Sequence, residues 1–416
     1  MFAPFQVTSY RYQWSADLVT SWAFEMEVIL LGRYVLVETE SVLLLTIFAS
    51  LQYIGTLLSP LIGMLGDRLG HRTVLCAMRA FYTVTAAMLM AFIFLGLLTP
   101  VYVFVIAALM GLVRASDMVM RYSLIGETMP ADKLAGALGL SRATFDSARI
   151  AGALTGAGIV ATMGMAPAYV VVTVFYASGF VLTRLIGGGR TAPLASAGYT
   201  ATTRHASTFS DLKDAAAHVW SAPHLKAGMI LAFLLNLTAF PIVNGLLPYV
   251  AKQIYQADQT TLGYMVATFA TGAMLGSITV GRFGHIILPA RMMIGFAATW
   301  YVTLALFALQ QGPATGILML FFAGCAQTLC LVPLSTMLVR TSHEKYRGRV
   351  MGLRAMAVYG LPLGLWISGP LITRFGFQAM AIGYCLFGLV LTVVIALRWK
   401  EQLWRASAPG NQRGKN

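Results

Sequence analysis

The chain has 416 residues, 58% of them hydrophobic and only 11% charged. Soluble domains carry about 25% charged residues, so a water-facing surface cannot be assembled from this composition. The net charge of +14 would suit a nucleic-acid surface on a soluble fold, but here its placement between apolar runs matters more than its total.

A bilayer core of about 30 Å is crossed by about 20 apolar residues in helical form. Runs of that kind fall at residues 17–37, 43–65, 74–96, 101–125, 138–162 and 168–187, and after a break at 227–250, 262–280, 292–309, 316–338, 350–372 and 380–397. The expected fold is therefore an all-α polytopic membrane protein with twelve transmembrane helices in two six-helix pseudo-repeats. Residues 1–187 form the N-terminal bundle, 188–226 a cytoplasmic linker, 227–398 the C-terminal bundle and 399–416 a polar tail. The linker begins Gly/Ser/Thr/Ala-rich, and Ser210 is placed to cap a short amphipathic helix whose Leu212, Ala216, Val219 and Trp220 share one side. The first residues, MFAPFQVTSYRYQWSADLVTSW, lack the basic start, apolar centre and cleavage site of a signal peptide, so insertion is expected to use the first span itself. Cys76, Cys325, Cys330 and Cys385 lie inside apolar runs with no CxxC pair, which points to buried thiols rather than a disulfide or metal site. No metal or other cofactor is expected.

Lys and Arg in the connections set the orientation. With the N-terminus inside, the cytoplasmic segments hold Arg11, Arg68, Arg72, Lys133, Arg190, Arg204, Lys213, Lys226, Arg282, Arg291, Arg340, Lys345, Arg347, Arg349 and the basic tail. The opposite connections offer Lys252 and Arg374 beside Glu38, Glu40 and Asp258. Both termini are expected to be cytoplasmic, and the bias explains the basic charge without nucleic acid.

The two halves repeat one another. At one constant offset along the chain, Asp132, Lys133, Gly136, Arg142, Gly152 and Gly164 fall on Glu344, Lys345, Gly348, Arg354, Gly364 and Gly376. Parallel six-span repeats are what a transporter rocks against each other.

Charge inside a span costs at least about 2.5–3.5 kcal/mol at a helix centre unless it faces protein or water. It is concentrated in the first half: Asp17, Glu25, Glu27 and Arg33 in span one, Arg79 in span three, Arg114, Asp117 and Arg121 in span four, and Arg142, Asp146 and Arg149 in span five. The last two groups have three- and four-residue spacing, placing a carboxylate between two guanidiniums on one helix face. They read as structural ion pairs, as a site for anionic substrate groups, or as both. Asp17, Ser21, Glu25 and Gly32 form a polar face on span one, with Glu27 pointing elsewhere. The second half offers neutral polar groups, Asn236, Asn244 and Gln327.

After span two the chain reads GMLGDRLGHR, containing Gly63, Asp67, Arg68, Gly70 and Arg72. This resembles motif A, GxLxDRxGxR, of the major facilitator superfamily. In the second half Gly281 stands at the aspartate's place. Arg347-Gly348-Arg349-Val-Met-Gly352-Leu is similar to the RGRxxGL entry to the family's eleventh span. Arg149 to Gly158, RIAGALTGAG, resembles the fifth-span glycine motif of its antiporters, with Ala153 in place of the usual proline. Residues 10–41 and 211–226, with Arg79, are most similar to the branch holding enterobactin exporters and macrolide efflux proteins.

The resemblance implies a secondary transporter working by alternating access, with spans one, four, seven and ten lining a central cavity. Glu25, Glu27 and Asp117 are then candidates for proton coupling. Glu25, Arg114, Asp117, Arg121, Asn236, Asn244 and Gln327 are candidates for substrate contact. Gly63, Asp67, Arg68, Gly70, Arg72, Arg347 and Arg349 would form a conformational latch, and Arg79, Arg142, Asp146 and Arg149 a charge network. The expected function is export of a small organic molecule across the bacterial inner membrane by proton antiport. Alternatives are an uptake permease or uniporter of the same fold, and a receptor or scaffold that moves nothing. An enzyme is disfavoured, since no Walker loop, GxSxG or HExxH occurs. The expected partners are substrate, H+ and the lipid bilayer, with the chain a monomer that binds no nucleic acid.

Overall fold

The computed structural model describes residues 3–186, 219–283, 289–342 and 347–401. The expected cap at Ser210, the linker up to residue 218 and the tail from residue 402 lie outside the described residues, as do the side chains of Asp67, Arg347 and Arg349. Every regular element among the described residues is helical.

In the first repeat, span one is Thr8–Thr39, span three His71–Phe94, span four Pro100–Thr128, span five Ala131–Met163 and span six Met165–Arg184. Span two is interrupted: Val42–Leu51 is followed by a 3-10 turn at Ile54–Leu58 and resumes as Ser59–Leu69, with Pro60 in its first turn. In the second repeat, span seven is broken into Pro223–Thr238, Phe240–Asn244 and Leu247–Tyr249, ending in a π turn at Val250–Ile254. Pro241 and Pro248 lack the amide donors that an unbroken helix needs there. Span eight is Gln259–Phe283, span nine Pro289–Ala308 and span ten Pro313–Thr341. Spans eleven and twelve start at Arg347–Met356, pass a 3-10 turn at Ala357–Tyr359 and continue through Gly360–Arg398.

Seven helices among the described residues are by themselves long and apolar enough to cross a membrane. One of them, the 46-residue stretch Leu353–Arg398, would be about 69 Å long at 1.5 Å per residue, twice the bilayer core. It divides at Gly376, whose φ of 83° is left-handed backbone, into spans eleven and twelve. The other spans are less continuously apolar for local reasons: span one carries six charged residues, spans two and seven are interrupted, and span five is rich in small and charged residues.

Close helix crossings bear the repeat's signature. A Cβ on Gly55 would overlap the carbonyls of Gly111 and Leu112, and one on Gly111 would overlap that of Leu51, so spans two and four cross backbone to backbone. Spans eight and ten do the same through Gly272 against the Phe321 carbonyl and Gly324 against that of Phe269. Without lateral hydrophobic drive in lipid, such small-residue crossings supply packing contact. Large apolar side chains such as Val84, Val105, Val174, Leu386 and Val390 lie outward, as a lipid-facing surface requires.

The described residues group into two compact units, residues Met1–Thr200 with Gly245–Ala267, and Ala201–Asn244 with Thr268–Asn416. In the first unit, Lys252 Nζ donates to the Leu36 carbonyl at 3.3 Å, near the end of span one, where Glu40 turns left-handed with φ 50°. Asp258 caps span eight: its Oδ1 accepts from the Thr261 amide at 2.9 Å and the Thr261 hydroxyl at 2.8 Å. Those bonds, the amide first, hold the exposed Asp258 carboxyl below its ordinary range. Asp258→Ala is expected to cost about 0.5–2 kcal/mol, measured by thermal unfolding in detergent. The cap's contribution is complete above the ordinary aspartate pKa and fades as pH falls through the lowered one, so wild type and variant converge in acid.

Candidate functional site

The sequence spacing of span one sorts its acidic residues onto two faces, and the structure gives each face its own partners. On the first face Asp17 meets Arg79 of span three directly, and Arg121 Nε of span four lies 3.6 Å from its Oδ1. Arg79 is fully buried and also reaches the Thr183 hydroxyl on span six. Arg121 donates to Ser21 Oγ at 2.7 Å and to the Asp17 carbonyl at 3.3 Å, and pairs one turn back with Asp117. Two arginines thus share Asp17 and Asp117 in an interior where an unpaired charge would be costly, so the cluster ties spans one, three, four and six.

Arg114 leaves that cluster. Its Nη1 donates to Gln52 Oε1 at 2.5 Å, its guanidinium carbon lies 2.9 Å from the Phe24 ring centre, and its Nη2 is 4.0 Å from Glu25 Oε1. The Arg-Asp-Arg array of span four is therefore split: Asp117 pairs with Arg121, and Arg114 turns toward spans one and two. Span five presses on Glu25 through Gly152, where a Cβ would lie 2.7 Å from Glu25 Cβ, and Gly156 packs on Met26.

On the other face Glu27, 4% exposed, accepts from Tyr176 Oη at 2.8 Å and Tyr169 Oη at 3.3 Å, both on span six. It has no ion-pair partner among the described residues. It lines a cavity of about 30 Å³, room for about one water, together with Gln52, Met110, Gly111 and Arg114.

The remaining candidates have the following places in their own helices. Arg142 pairs with Asp146 at 3.2 Å, its side chain 62% exposed, and Arg149 follows one turn on. Asn236 bonds its own helix at the Ala232 carbonyl, 2.9 Å away, Asn244 ends a short helix of span seven, and Gln327 is buried in span ten. In the motif after span two, Gly70 adopts φ 88°, a conformation open to glycine, and lets the chain re-enter as span three. Arg72 Nη2 donates to the Arg184 carbonyl at 2.5 Å at the end of span six, and His71 Nδ1 lies 2.6 Å from Glu127 Oε1. Half-buried Gly63 and exposed Arg68 lie on the helix Ser59–Leu69 that leads into Gly70.

Sequence reasoning placed Asp17 on the polar face without naming it as a site residue, although buried arginines on spans three and four demand such a partner. Gln52 carries no signal of its own. Tyr169 and Tyr176, seven apart in an apolar span, share a helix face, and that spacing was the available sign.

Two six-helix repeats, with the buried charge among the described residues in the first of them, define a multi-pass membrane protein of the secondary-transporter type. The Major Facilitator Superfamily model matches residues 35–359 and again 229–414, and the chain belongs to that superfamily, as a transporter and not an enzyme. It is 27% identical over 172 residues to the enterobactin exporter EntS of Escherichia coli O1:K1 / APEC, covering 39% of this chain and 40% of that protein. Similarity to EntS of Shigella flexneri is 25% over 181 residues, 39% of this chain and 43% of the relative. The match thus spans about two fifths of these relatives' length. Among solved structures, the nucleoside transporter NupG superposes with a TM-score of 0.73 at 15% identity, covering 94% of this chain and 99% of that one. The D-xylose-proton symporter does so with 0.70 at 12% identity, covering 94% and 97%. These likenesses establish the shared fold.

Proposed function

We propose that the protein exports a small organic molecule across the bacterial inner membrane by alternating access, driven by proton entry. The observation that carries the reading is Glu27, a carboxyl buried in span one with no ion-pair partner among the described residues and held by two tyrosine hydroxyls. A carboxyl so placed is by default functional, because a purely structural residue there would be apolar. Glu25, 4.0 Å from Arg114, is the second carboxyl on the path, and Arg114 can give it up to an anionic group. The export direction is supported by the EntS relatives, whose name states export of enterobactin. One proton crossing 100 mV releases about 2.3 kcal/mol, enough for a roughly fortyfold substrate gradient. Arg68, Arg72 and Gly70 act as the cytoplasmic latch, with both termini on that side.

Proteoliposomes holding purified protein, an internal pH dye and enterobactin as the first probe test this. Wild type is expected to move protons against the probe, and Glu27→Gln to lower coupled flux about tenfold or more. Probe movement that ignores the proton gradient in wild type and in Glu27→Gln alike would overturn the reading.

A further inference from the structure

We propose that an apolar groove between spans two, three and four holds one acyl chain of an anionic phospholipid, whose phosphate is taken by Arg68 and Arg72 at one end of the groove. The groove encloses about 310 Å³, and its walls include Leu65 and Leu69 of span two, Thr73, Ala77 and Phe81 of span three, and Val113 of span four. Thr73 is the one polar residue among the described residues that line it. The slot follows from the interruption of span two. After the 3-10 turn at Ile54–Leu58 the chain restarts as Ser59–Leu69, and span three offers it small side chains, Thr73 and Ala77, on one stripe that ends at Phe81. Leu65, Leu69, Thr73 and Ala77 are all exposed, and inside a span the medium that meets them is hydrocarbon.

Length and direction select an acyl chain. Thr73 to Phe81 measures about 12 Å along the helix axis, most of the roughly 15 Å depth of one leaflet. The groove runs beside spans two and three, and so along the membrane normal, as a lipid tail does. Charge then selects the lipid. Arg68 follows Leu65 by three residues and shares its helix face; it is exposed, with no hydrogen bond or ion pair among the described residues. Arg72 directly precedes Thr73, and its Nη2 donates to the Arg184 carbonyl, which leaves Nη1 and Nε for a ligand. Arg184, at the end of span six, adds a third guanidinium at this end of the repeat. The acid described there, Glu127, is engaged by His71 at 2.6 Å. Guanidiniums take phosphate oxygens through paired hydrogen bonds, and basic groups at the membrane surface attract anionic lipid. A zwitterionic headgroup would bring a cation of its own against these arginines.

The test reads lipid binding and needs no transport. Native mass spectra of the full-length protein, delipidated in detergent, are recorded against rising phosphatidylglycerol or phosphatidylcholine with identical chains. Wild type is expected to bind one phosphatidylglycerol about tenfold or more tighter than phosphatidylcholine. Ala77→Trp and the smaller Ala77→Leu fill the groove from an exposed position, and the indole is expected to weaken that site about tenfold or more. Arg68→Gln combined with Arg72→Gln is expected to bring the two lipids to equal affinity. Glycerol phosphate, which has the charge but no chain, is expected to leave the lipid in place. Equal affinities in wild type would overturn the proposal, and so would displacement by glycerol phosphate. Undiminished phosphatidylglycerol binding in both Ala77 variants, or in whichever of them is monodisperse, would overturn it too. The lipid site does not rest on the antiport reading, which is judged by probe flux in vesicles, so either can fail without the other.

Discussion

Arg79→Met is expected to remove about 3–5 kcal/mol of stability, read as a lower thermal midpoint in detergent and a loss of monodisperse protein on size exclusion. The side chain is fully buried, and its guanidinium ends on Asp17 and the Thr183 hydroxyl. Methionine fills similar space and is at home in a span, so the loss measures the carboxylate left behind. Asp17 would keep only Arg121, at 3.6 Å and already committed to Asp117 and Ser21. Adding Asp17→Asn to the same chain removes that stranded charge and is expected to restore more than half of the loss, because residues in contact do not contribute additively. A single Arg79→Met variant as stable as wild type would show that the pair does not hold spans one, three and six together.

What the sequence discloses here follows from what each signal depends on. Span positions depend on composition along the chain, and twelve apolar runs are visible in the order of residues alone. Interruptions depend on local backbone: Pro241 and Pro248 announce the broken span seven, but the 3-10 turn of span two at Ile54–Leu58 answers to a crossing, since Gly55 must approach span four. The buried charges can be placed on helix faces by counting, but their partners cannot. Asp117 is three residues from Arg114 and four from Arg121, and helical spacing permits either pair. The choice is made by groups distant in sequence: Gln52 and Phe24 draw Arg114 away, while Asp17 and Ser21 hold Arg121 beside Asp117. Glu27 shows the same limit, because its hydroxyl partners lie 142 and 149 residues further along the chain.

The repeat itself yields the second large effect. At the constant offset that relates the two halves, Gly152 corresponds to Gly364, and Glu25 to Leu237. The contacts obey that correspondence: a Cβ on Gly152 would meet Glu25 Cβ at 2.7 Å and the Trp22 carbonyl at 3.0 Å, and one on Gly364 would overlap the Leu237 carbonyl. Gly152→Val and Gly364→Val are each expected to lower stability by at least about 1–3 kcal/mol, because the opposing atoms include backbone that cannot turn aside. Gly139→Ala, also in span five but with no atom within 4 Å of the added carbon, serves as control and is expected to hold or gain up to about 1 kcal/mol. Thermal midpoints in detergent check all three. The two valines differ in what they displace. At residue 364 the partner is a leucine, so proton-coupled flux should fall only as far as folded protein does. At residue 152 the partner is Glu25, 4.0 Å from Arg114, so flux per folded molecule should fall as well. Equal flux per folded molecule in the two variants would mean that the acidic face of span one is structural, and that the asymmetry between the repeats, charge in one and leucine in the other, carries no transport chemistry.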